Sequence, residues 1–171
     1  KYSINDDAFV LIAGGKIDAN KNFDKLIEAV NEIDNQNIIL VLFGKIENEC
    51  KEIIESLFTE RIKYIGWITP DEITEAFLSS ELGVFPGLHS VLWEQAVSCG
   101  LPCIFHKLEG IDHVDINGNC ILLADVGVSA IREKIEFLYN NHQEYTIMKE
   151  KADSAAEKMF YKNINMQFLD H

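Results

Sequence analysis

The chain has no run of lysines and arginines, no cysteine pair at metal-ligand spacing and no apolar stretch long enough to cross a membrane. Each absence removes a class of function. Fifteen basic residues stand against twenty-eight acidic ones, a net charge of −13, so the surface repels nucleic acid and anionic lipid. With no basic patch to offset it, nucleic-acid binding loses its electrostatic footprint. The four cysteines (Cys50, Cys99, Cys103, Cys120) form no CxxC and have no His-x-x-x-His partner. They read as free thiols in a reducing, cytoplasmic setting rather than as zinc ligands or disulfides. No signal-peptide pattern, internal repeat, low-complexity tract or linker is visible. The abrupt ends suit a domain excised from a longer chain.

Two nucleotide motifs are missing as well. Gly14-Gly15 lies in Ala-Gly-Gly-Lys-Ile-Asp-Ala-Asn, which lacks the GxGxxG spacing of an NAD or FAD site, and there is no Walker loop. A phosphoacceptor receiver needs acids after its first strand and an aspartate ending its third. Here Asp6-Asp7 precede the first strand and Gly66 ends the third.

What is present is a regular alternation. A hydrophobic content of 47% over 171 residues is enough for one sizeable core, so residues 1–171 are read as one domain. Apolar runs at 9–13, 38–43, 62–65, 82–85, 103–105 and 120–123 read as strands. Phe23, Leu26, Ile27, Val30 and Ile33 show the 3-4 spacing of an amphipathic helix. Further helices are expected around 53–58, after Thr69-Pro-Asp-Glu, over 90–99, over 128–140 and over 143–161. Continuous apolar strands between amphipathic helices predict an α/β fold: a Rossmann-like, doubly wound parallel sheet covered on both faces.

Ligands in such folds bind beyond the carboxyl ends of the strands. The residues expected there are Gly14, Gly15, Lys16 and Lys21 after the first strand, then Gly44 and Lys45 after the second. Gly66 and Trp67 follow the third, Pro86 to Ser90 the fourth, and His106 and Lys107 the fifth. Three lysines on one rim of an acidic domain suit a diphosphate, although lysines in such loops are also ordinary solvated residues. The run Phe85–Phe105 reads as strand end, Pro-Gly turn, helix and second strand. Glu94 falls about one turn into that helix, where a carboxylate can accept two hydrogen bonds from a sugar diol. His89 and Ser90 are candidate donors to a phosphate oxygen; Ser90 is equally read as the helix N-cap. Trp67 is either a base-stacking platform or a partly buried core tryptophan. Asp112, His113 and Asp115 form an Asp-His-x-Asp cluster, but two carboxylates and one imidazole in a loop do not make a metal site.

In this order, Gly14–Val30, Ile65–Ile73 and Val84–Ile104 resemble the C-terminal, donor-binding domain of a GT-B glycosyltransferase, and most of all the retaining family four. The closing Ala155–Ile164 is similar to that family's last helix. The resemblance implies a nucleotide-sugar donor site on Gly15, Lys16, Lys21, Trp67, Gly87, His89, Ser90 and Glu94. Lys16 stands where the family has an arginine, and Lys21 matches its lysine. Glu94 matches the second glutamate of the Glu-x7-Glu motif, which binds ribose. Pro86 stands where the first glutamate belongs, and Gly-Leu-His-Ser replaces the longer glycine-rich loop. The resemblance further implies metal-independent sugar transfer to an acceptor glycan or lipid. That acceptor would be held by an N-terminal half absent from this chain, in a cytoplasmic or membrane-peripheral enzyme. Two rivals stay open: a nucleotide-sugar epimerase half, and a non-catalytic Rossmann-like module with a degenerate donor site.

Overall fold

The structure, a computed structural model, describes the backbone of residues 4–169 and the side chains of residues 4–159. Among the described residues, strands and helices alternate up to β5, after which β6 and two helices close the chain: β1 (Phe9–Ile17), α1 (Phe23–Glu32), β2 (Ile38–Ile46), α2 (Lys51–Ser56), β3 (Ile62–Tyr64), α3 (Pro70–Leu78), β4 (Leu82–Phe85), α4 (Leu92–Ser98), β5 (Cys103–His106), β6 (Cys120–Leu123), α5 (Val128–Asn140) and α6 (His142–Leu169). All neighbouring strands are parallel, in the order β3-β2-β1-β4-β5-β6. The expected doubly wound sheet is therefore present.

The continuous apolar runs are explained by burial on both faces, because successive strand residues point to opposite sides. Leu11, Ala13, Leu40, Leu42, Leu82, Val84 and Ile104 pack with α1 and α5. Ile12, Phe43, Phe85, Cys103 and Phe105 pack on the other side with Phe77 of α3, Leu92, Trp93, Ala96 and Val97 of α4, and Ala155 and Met159 of α6. The side chains of residues 160–164, part of the closing segment singled out in the sequence, lie outside the described residues. At α3, the helix start expected at Thr69-Pro-Asp-Glu, the Thr69 hydroxyl accepts from Glu72 N–H while the Glu72 carboxylate accepts from Thr69 N–H, forming a capping box.

Three expectations need correction. Strands β1 and β2 do not stop at Ala13 and Phe43; they pair residue for residue from Phe9↔Ile38 to Ile17↔Ile46. Gly14, Gly15, Lys16, Gly44 and Lys45 thus lie within strands rather than in the loops after them. The glycines make this possible: a Cβ on Gly44 would stand 1.9 Å from the Gly15 carbonyl oxygen, and Gly44 adopts φ +108°. The second correction concerns α4, which begins at Leu92 rather than Ser90. Its N-cap is Val91, with no side-chain cap, so Ser90 is not the capping residue and Glu94 falls in the first turn. Third, α6 runs on to Leu169 rather than ending near Tyr161.

Candidate functional site

The chain passes from β1 outward to β3, then returns to lay β4 on the other side of β1. This reversal is the topological switch point, where open α/β sheets bind ligands. The β1–β4 ladder pairs only Leu11↔Leu82 and Ile12↔Gly83. Beyond those pairs β1 follows β2 and β4 follows β5. The strands part toward their carboxyl ends, leaving a crevice beside which the 18–22 and 86–91 segments meet.

The two segments clasp each other. Lys21 Nζ donates to the Leu88 carbonyl at 2.6 Å and lies 3.4 Å from that of His89. Asn22 Nδ2 donates to the Pro86 carbonyl at 2.9 Å, and Leu88 N–H donates to the Asn20 carbonyl at 3.4 Å. Asn22 takes the left-handed conformation, φ 54°, that aims it there. Gly87 is buried against the backbone of Lys21. Burial pulls the Lys21 ammonium below the usual lysine range; Asp18 opposes that pull and Lys16 adds to it. The lysine expected to face a diphosphate therefore spends its donors on the turn.

Lys16 and Lys45 are register partners at the ends of β1 and β2, and both are exposed. Their acid partners, Asp18 and Glu47, each stand 3.5 Å away. Lys16, Lys45 and Glu47 line, with Gly15, Phe43, Gly44, Trp67, Ile68, Ile73 and Leu92, a hollow of about 410 Å³. Trp67 is 73% exposed, which rules out the core reading and leaves a free aromatic face. Ser90 is half-buried; its carbonyl accepts from Trp93 N–H at 3.0 Å. His106, at the end of β5, has a buried Nδ1 with no partner.

Glu94 Oε1 accepts from two imidazoles, His89 Nε2 and His113 Nε2, each at 2.7 Å. The other oxygen, Oε2, is buried without a hydrogen-bond partner. Burial pushes this carboxyl up. The bond from His113, the helix-head N–H of Glu94 itself, and the bond and charge of His89 outweigh burial and hold it below the usual glutamate range. His89 is further fixed edge-on against Trp93, ring centroids 5.2 Å apart. Trp93 is itself buried and stacked on Phe105 at 4.4 Å.

His113 was visible in the sequence only inside the Asp-His-x-Asp cluster, and the structure separates that cluster. Asp115 Oδ1 accepts from Gly118 N–H at 2.9 Å and closes a local turn. Buried Asn119 binds Ile116 N–H through Oδ1 and the Val114 carbonyl through Nδ2, while Val114 inserts into the core. Those anchors place His113, of the three, over Glu94. Nothing in the local sequence marks this partnership, because His113 lies nineteen positions after Glu94, across helix, strand and loop.

A larger hollow, about 700 Å³, lies on the α3 side of the sheet near Val10 and Ile12. Asp6, Glu72, Glu75 and Glu81 line it and, among the described residues, no basic one does, which makes it a poor host for an anion.

Residues 1–155 match the family described as Glycosyl transferases group 1. The chain belongs to that family. It is 29% identical over 126 residues to the lipopolysaccharide core biosynthesis glycosyltransferase LpsD of Rhizobium meliloti (strain 1021), a match covering 71% of this chain and 36% of that protein. Among solved structures, Anabaena Alr3699/HepE in complex with UDP and glucose superposes with a TM-score of 0.78 at 18% identity, over 96% of this chain and 48% of that one. The catalytic domain of cholesterol-alpha-glucosyltransferase from Helicobacter pylori gives 0.73 at 23% identity, over 88% of this chain and 98% of that one. The fold is thus the Rossmann-like half of a GT-B glycosyltransferase. The matched part of the chain spans about a third of its curated relative. Among the described residues, no helix is long and apolar enough to cross a membrane.

Proposed function

We propose that this group 1 glycosyltransferase domain binds the nucleoside diphosphate of a sugar donor at the β1–β4 crevice. In the full-length enzyme it would deliver the sugar to an acceptor hydroxyl. The observation that carries the reading is the Glu94 carboxylate at the switch point, one oxygen shared by two displaceable imidazoles and the other buried without a partner. Two ribose hydroxyls would satisfy such a carboxylate. The exposed ammonium groups of Lys16 and Lys45 lie at the ends of the two neighbouring strands and would neutralise the leaving diphosphate. Trp67 offers its exposed ring to the base across the 410 Å³ hollow. Gly15, Gly87, His89 and Ser90 would shape the path between base and sugar, and Lys21 would act by holding the turn. The lysines supply the charge that a metal would otherwise bring, so transfer is metal-independent in this reading. The acceptor, a glycan or lipid, would be held by a second half outside this chain, in a cytoplasmic enzyme that is at most peripheral to a membrane. The isolated chain would bind donor and transfer little or nothing.

Calorimetric titration with UDP, GDP and their sugars tests this. Binding by the parent chain should weaken roughly tenfold to a hundredfold in Glu94→Ala, since hydrogen bonds to a charged group contribute about 1.5–3 kcal/mol. Unchanged binding in Glu94→Ala, or no nucleotide binding at all, overturns the assignment and favours a degenerate module.

A further inference from the structure

His89, Glu94 and His113 come from three separate segments: the β4–α4 turn, the first turn of α4, and the loop before β6. Their ligand atoms, two imidazole Nε2 and a carboxylate oxygen, all lie within 4.8 Å of one another. We propose that they form a binding site for a divalent transition ion of the zinc class, and that this ion competes with the nucleotide for Glu94. The second clause rests on the donor-site reading above; the first does not.

The donor set selects the ion. Two imidazoles and one carboxylate suit Zn²⁺, Co²⁺, Ni²⁺ or Cu²⁺, whereas Mg²⁺ and Ca²⁺ prefer oxygen ligands. Three protein ligands leave a position for water, as in His₂Glu zinc sites. The reach is also suitable. Bonds of about 2.0–2.2 Å around a tetrahedral ion separate adjacent ligand atoms by roughly 3.3 Å. Both nitrogens now stand 2.7 Å from Oε1, so each must retreat by a few tenths of an ångström, while the two nitrogens, within 4.8 Å of each other, must close by up to about 1.5 Å. The side chains are 31%, 29% and 42% exposed for His89, Glu94 and His113, which leaves them that freedom.

The supports of the ligands are firm. His89 rests on buried Trp93, on a turn clasped by Lys21 and Asn22. His113 stands beside Val114 in a loop pinned by buried Asn119. Its ring lies 5.7 Å from that of His89 at 71°, so the two imidazoles approach Glu94 without stacking on each other. Oε2 is an orphaned buried acceptor, and an ion beside the carboxylate would compensate the charge it leaves unpaired. A net charge of −13 also raises the local concentration of cations. Since the ion takes the carboxylate the ribose needs, it would inhibit the enzyme rather than serve as its cofactor.

Zn²⁺ titration by calorimetry, with Co²⁺ absorption as a second readout, tests the site on the parent chain and on His113→Ala. The parent should bind one equivalent, with cobalt bands of nitrogen and oxygen ligation. His113→Ala, altered at an exposed position outside the proposed donor contacts, should bind the ion at least about tenfold more weakly and still bind UDP. Zn²⁺ should raise the apparent Kd for UDP in the parent more than in His113→Ala, because chelation of the ion by free diphosphate acts on both alike. Absence of a stoichiometric ion, equal affinity in His113→Ala, or sulfur-to-cobalt charge-transfer bands overturns the site. Ion binding that His113→Ala weakens, with no effect on UDP, upholds the site and overturns the competition. Failure of the parent to bind UDP overturns the donor reading and leaves the ion result to stand on its own.

Discussion

Gly87 is the position where a single methyl group should do most to the crevice. A Cβ there would stand 2.3 Å from Lys21 Cα and 2.7 Å from its carbonyl carbon and oxygen, against an ordinary contact of 3.4–4 Å. The obstacle is backbone, so the turn and the 18–22 segment must part by about 1 Å. Such a retreat breaks the bonds from Asn22 to Pro86 and from Lys21 to Leu88, now 2.9 and 2.6 Å long. Two hydrogen bonds at about 1 kcal/mol each, with an overpacking strain of about 1–3 kcal/mol, give a loss of roughly 3–5 kcal/mol. For a domain of this size that lowers Tm by about 6–20 °C. Gly127→Ala is the matched control, since its Cβ meets nothing closer than the Asp125 carboxylate at 3.1 Å. Thermal unfolding followed by circular dichroism gives the stability, and UDP titration below the transition gives the site. A Gly87→Ala chain that melts within about 2 °C of the parent and binds UDP equally would refute the clasp as the organiser of the crevice.

Two further outcomes follow from the packing and the buried acids. Trp93→Ala removes a buried indole stacked on Phe105 at 4.4 Å and should cost about 3–5 kcal/mol by chemical denaturation; a cost below about 1 kcal/mol would mean that α4 is not seated by this side chain. Glu81 has its folded-state carboxyl raised by burial, against the opposing bond from Val10 N–H at 2.7 Å. Its contribution to stability is therefore full below the unfolded-state value and is lost as pH rises through the raised one. The stability gain of Glu81→Gln over the parent should accordingly grow with pH across the acid range and then level off, and parallel stability curves from pH 4 to 8 would contradict it.

The architecture was legible because two-sided burial leaves a plain mark: strands such as Ile38–Phe43 must be apolar at every position, and α1 must show one apolar stripe. The strand ends were not legible. Gly14-Gly15 and Gly44 read as turns in isolation, yet their missing side chains are what let β1 and β2 stay paired to Ile17 and Ile46. Ser90 met the compositional rule for a cap, but the Pro86–Ser90 turn, tied down by Lys21 and Asn22, carries the chain one residue further before α4 begins. Glu94 was legible through its place after a strand and a turn. His113 was not, because its position depends on Val114 and Asn119 anchoring an irregular loop, and such anchoring has no period to read.

The division of labour among the three lysines follows from what each already holds. Lys16 and Lys45 are 63% and 72% exposed, and their 3.5 Å pairs with Asp18 and Glu47 are surface ion pairs of about 0–1 kcal/mol. A diphosphate bearing more charge can exchange for those partners at little cost. Lys21 is half-buried and bound to a carbonyl at 2.6 Å, so drawing it onto a ligand would release the turn that carries His89. Charge at this site is thus mobile where the phosphates would arrive and fixed where the backbone must be held. Replacing Lys16 or Lys45 by methionine should therefore weaken UDP binding in a salt-dependent way while leaving Tm unchanged. Lys21→Met should lower Tm and donor affinity together. A Lys21→Met chain with parental Tm and a purely electrostatic loss of affinity would return Lys21 to the role its sequence position first suggested.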